Sequence, residues 1–73
     1  MSPATAVRII VSSGNLSAEG LNTLHACVDG HPWNNAKQWR NAEFMLAGRG
    51  PWSGDEYHAL RVISEQAEVE RNA

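Results

Sequence analysis

The nearest thing to a reactive constellation in this chain is His25, Cys27 and His31. A soft metal site needs three or four such ligands converging at about 2.0–2.3 Å, and a structural zinc takes four. Cys27 falls on the apolar stripe of an expected helix, His25 flanks that stripe, and His31 lies beyond the helix end. The set reads as a small buried thiol and two surface histidines, with no metal and no cofactor. As a nucleophile, Cys27 would need a base such as His58 and positive surroundings to hold a thiolate. Nothing in their spacing requires either. Asp55 and Glu56 are adjacent carboxylates, but helix capping accounts for both. Gly48-Arg49-Gly50 is too short for a phosphate loop and lacks the Lys-Ser/Thr that reaches phosphate and magnesium. No catalytic set emerges, and the chain is not expected to be an enzyme.

The elements that would position these groups are marked by glycines and prolines. Gly14, Gly30, Gly48 and Gly50, with Pro32 and Pro51, cut the chain into four apolar segments. In the first, Val7, Ile9 and Val11 alternate, and four β-branched residues fall within five positions, which favours a strand. Ser2-Pro3 as N-cap and first helical residue, with Gly14 as the stop, is the competing helical reading. The second segment, about Ser17 to Asp29, is a helix with Leu21, Leu24, Cys27 and Val28 on its stripe, capped by Asn15 or Ser17. The third, about Asn35 to Ala47, is a helix whose core face is Trp39, Ala42 and Leu46. The fourth opens on Ser53-Gly54-Asp55-Glu56, a capping box, with Trp52 and Tyr57 at the spacing of a hydrophobic staple. Its inward positions read as Tyr57, Ala59, Leu60, Ile63 and Ala67. The fold expected is mainly α within a small α+β class: three short helices packed with a short N-terminal strand. Residues 1–5 and 68–73 are expected to be frayed.

Seventy-three residues suffice for a single domain. Hydrophobic residues make up 42% of the chain, enough for one small core. A single cysteine excludes an internal disulfide framework and suits a reducing compartment. No apolar run approaches the roughly 20 residues a membrane helix needs, and the N-terminal residues lack signal-peptide character. A soluble intracellular protein without membrane attachment is expected. The net charge of −2 excludes a general basic coat for nucleic acid, yet residues 37–49 carry +2 and residues 50–73 carry −3.

Apolar residues that fit no core face are then informative. At 100° per residue Phe44 sits beside Lys37 and Arg40, away from Trp39, Ala42 and Leu46. Trp33 lies at a turn, and Ile10 lies opposite the Val7, Ile9 and Val11 face of the expected strand. Aromatic residues beside arginine are typical of protein interfaces. Phe44, Arg40, Lys37, Trp33 and Ile10 are therefore the candidate partner-binding residues. The alternative is a helix-turn-helix formed by the third and fourth helices. Its recognition helix would begin Gly54-Asp55-Glu56, whose two acids would meet DNA phosphates, so no direct sequence-specific nucleic acid binding is expected.

The Val7-Arg8-Ile9-Ile10-Val11 opening, the Pro32-Trp33 and Pro51-Trp52 helix entrances and the weakly acidic balance carry a resemblance over the whole chain. The chain resembles the small transcription regulators of lytic phages, in particular a Xanthomonas phage. The likeness has no diagnostic motif, and no functional residue carries over by position. It implies a bacteriophage protein in the bacterial host cytoplasm that binds host RNA polymerase at the N-terminal part of its largest subunit. It further implies sigma displacement, inhibition of initiation, and antitermination.

Overall fold

The computed structural model describes residues 1–29 and 35–72 and consists there of four helices, α1 (Pro3–Ser12), α2 (Ala18–Asp29), α3 (Asn35–Leu46) and α4 (Gly54–Arg71). The fold is all-α, and the expected N-terminal strand is the principal correction. Residues 7–11 are helical. Ser2 is the N-cap, its Oγ accepting from the Thr5 N–H at 3.1 Å, and Pro3 occupies the first turn where it sacrifices no hydrogen bond. Gly14, at φ +77°, takes the left-handed conformation just past the C-cap Ser13.

Magnitudes explain why the helix wins. Four β-branched residues in a helix cost up to about 0.7 kcal/mol each. Burial of Val7 and Ile10 contributes about 1.5–3 kcal/mol per side chain, and the cap adds about 1 kcal/mol. Ala6, Val7 and Ile10 are buried, a helical and not an alternating spacing. A strand would also have left its backbone groups without a partner, since none of the described residues is a strand.

The other helices follow their caps. Ser17 Oγ accepts from the Gly20 N–H at 3.1 Å at the start of α2. The capping box of α4 is complete: the Ser53 N–H donates to Glu56 Oε1 at 2.8 Å, and the Glu56 N–H donates to Ser53 Oγ at 3.4 Å. At the end of α3, Gly48 turns at φ +78°. The last turn, expected to fray, is helical to Arg71, with a Gln66–Glu70 hydrogen bond of 2.9 Å and an Arg71–Glu68 ion pair of 3.3 Å on its surface.

The helices form a ring: α1 packs on α2, α2 on α3, α3 on α4, and α4 closes onto α1. Ala6, Val7 and Ile10 of α1 meet Leu24 and Cys27 of α2, Trp39, Ala42 and Leu46 of α3, and Ala59, Ile63 and Ala67 of α4 in one core. Two inward assignments fail. Tyr57 is 61% exposed because it lies 200° from Ala59 around the helix, so the Trp52/Tyr57 spacing does not bring it inside. Val28 is 40% exposed because the buried positions of α2 are Gly20, Leu24 and Cys27, which turn it to the edge.

Candidate docking surface

Helix α3 presents two faces of opposite character. Trp39, Ala42 and Leu46 are buried in the core. Lys37, Arg40 and Phe44, at i, i+3 and i+7, are all exposed, and Phe44 is 81% exposed. The ring of Phe44 thus stands in solvent on the same face as two cations that precede it by one and two turns.

The one acid on this helix faces elsewhere. Glu43 accepts a short hydrogen bond from the Ser64 hydroxyl of α4 and lies 3.7 Å from Arg71. All three side chains are accessible to water, so this clasp contributes little to stability. Its consequence is directional: the carboxylate is drawn toward α4, leaving Lys37 and Arg40 in no ion pair among the described residues. Arg49, in the turn after α3, is likewise exposed and unpaired there.

Ile10 does not belong to this surface. It is 0% exposed in the core, because a helix puts it on the face of Ala6 and Val7 where an alternating strand would have turned it outward. Trp33 and His31 lie outside the described residues. The remaining chemical candidates do not assemble. His25 is exposed while Cys27 is buried, and burial, with the Glu70 carboxylate adding to it, pushes the Cys27 thiol up to about 12. Such a thiol stays protonated at neutral pH and is a poor nucleophile and metal ligand. Among the described residues no three His, Cys, Asp or Glu side chains are grouped to hold a metal, and no helix is long and apolar enough to cross a membrane. Asp55 and Glu56 occupy the first turn of α4, where both complement the helix dipole.

A further surface feature escaped the reading of the residues. Ala4, Val7, Arg8 and Val11 line a groove with His25 and Val28. Their i, i+3, i+4, i+7 spacing was its signal, hidden by the assignment of residues 7–11 to a strand. No protein-family model, curated protein or solved structure matches the chain.

Proposed function

We propose that this chain acts by stoichiometric binding to a protein partner, bacterial host RNA polymerase, through the α3 face centred on Phe44, and performs no chemistry itself. The carrying observation is the 81% exposure of Phe44 beside Lys37 and Arg40, with the opposite face of the same helix in the core. An exposed aromatic anchor on the same helix face as two cations suits a surface that combines an apolar pocket with acidic groups. The ring supplies affinity, and the cations supply orientation and on-rate. The polymerase as partner, sigma displacement and antitermination rest on the resemblance alone.

A promoter transcription assay tests the reading. Added protein is expected to suppress sigma-dependent initiation in proportion to its ratio to polymerase, while polymerase already elongating stays active. Undiminished promoter transcription at saturating protein would defeat the proposal.

A further inference from the structure

Between α1 and α2 lies an open groove of about 250 Å³. Its walls are aliphatic: Ala4, Val7 and Val11 from α1, and Val28 from α2. Among the described residues, the polar side chains lining it are Arg8 and His25, and no acid lines it. We propose that this groove binds a small anionic amphiphile, an unbranched carboxylate of roughly eight carbons in all.

Three observations carry the assignment. The first is size. At about 30 Å³ for a water-sized group, the space holds roughly eight such groups, and it falls below the range of about 300–1,000 Å³ usual for larger ligands. The second is polarity. Arg8 makes no ion pair among the described residues, and its planar guanidinium can hold a carboxylate through two parallel hydrogen bonds. The His25 imidazole, on the facing helix, can donate a third. The third is incomplete packing. Val28 keeps 40% of its surface in water although it lies beside α1, so an aliphatic chain laid in the groove would cover apolar surface that the fold leaves wet. This site uses neither α3 nor Phe44 and stands independently of the docking surface.

The test is a titration of the ¹⁵N-labelled full chain with octanoate to several millimolar, with octanol as the neutral probe. Saturable amide shifts are expected around Ala4 to Val11 and His25 to Val28. Arg8→Gln should weaken octanoate by about tenfold or more while changing octanol little, and Ala4→Trp, which fills the groove, should remove both. Arg8 and Ala4 are exposed, so neither substitution empties the core. If either variant fails to fold, the comparison of octanoate with octanol on the unaltered chain decides, with octanoate expected to bind at least about tenfold more tightly. Absent or scattered shifts, or equal affinity for the two probes, would overturn the assignment. So would shifts produced by an acidic amphipathic peptide and not by octanoate, which would make the groove a protein-docking surface.

Discussion

Phe44 is where a contact residue and a core residue make opposite predictions. Burying its ring in a partner pocket would stabilise a complex by roughly 1.5–3 kcal/mol. Removing a core phenylalanine would instead cost the fold about 3–5 kcal/mol. With 81% of its surface in water, Phe44→Ala should leave melting nearly unchanged and weaken the proposed polymerase binding at least tenfold, about 1.4 kcal/mol. Melting and affinity measured on one sample separate the two, and a badly destabilised variant would remove Phe44 from the docking surface. Cys27 gives a second test at this scale. Its thiol titrates at about 12 in the fold against 9.0 when free, so the unfolded chain gives up its proton first. Stability from the protonated thiol is complete below pH 9 and is lost progressively as pH rises from 9 toward 12. Denaturant melts across that window should show a shallower loss for Cys27→Ala than for the unaltered chain. Equal slopes would mean that the thiol is not held protonated by burial.

The helices themselves differ in how readily their causes can be isolated. In α4 the cap is reciprocal and exposed, so Ser53→Ala should cost about 0.5–2 kcal/mol in a denaturant melt without disturbing the core. In α2, Gly20 sits inside a helix with ordinary backbone angles, and an added Cβ would meet Ser17 Oγ at 3.5 Å and Leu16 at 3.6 Å, both normal contacts. Gly20→Ala should therefore stabilise the protein by about 0.5–1 kcal/mol, and a lower melting temperature would show that the helix cannot accept the methyl group. These elements also show what was legible beforehand. The α4 cap and the Trp39, Ala42 and Leu46 face are local patterns, carried by residues three to seven apart, and both stand in the structure. Phe44 is legible for the same reason, since a residue off the core face of a regular helix must point outward. The α1 segment is different. Its alternation and its helical spacing coexist in the same residues, and the choice depends on what α2 and α4 offer as cover, which no local pattern contains. Ile10 and the α1/α2 groove were hidden by that one choice.

At the scale of the whole molecule, stability depends on the closure of the ring. The chain has a radius of gyration of 11.0 Å, close to the roughly 11 Å expected of a compact domain of this length. A domain this size has on the order of 4–11 kcal/mol of stability in total. Helix α1 is short, and its place depends on the burial of Ala6, Val7 and Ile10 against the shared core. Ile10 is among the largest fully buried side chains, so truncating it removes apolar contact at the point where the first helix meets the last. Ile10→Ala should cost about 2–5 kcal/mol, lowering the melting temperature by at least about 8 °C at about 4–8 °C per kcal/mol. Because the core is continuous through all four helices, tryptophan fluorescence and the far-ultraviolet helix signal should still change together in one transition. A variant with an unchanged melting temperature would mean that α1 is not part of the cooperative core. Two separated transitions would mean that α1 docks on a three-helix unit stable without it, and that the ring describes only the arrangement of the helices.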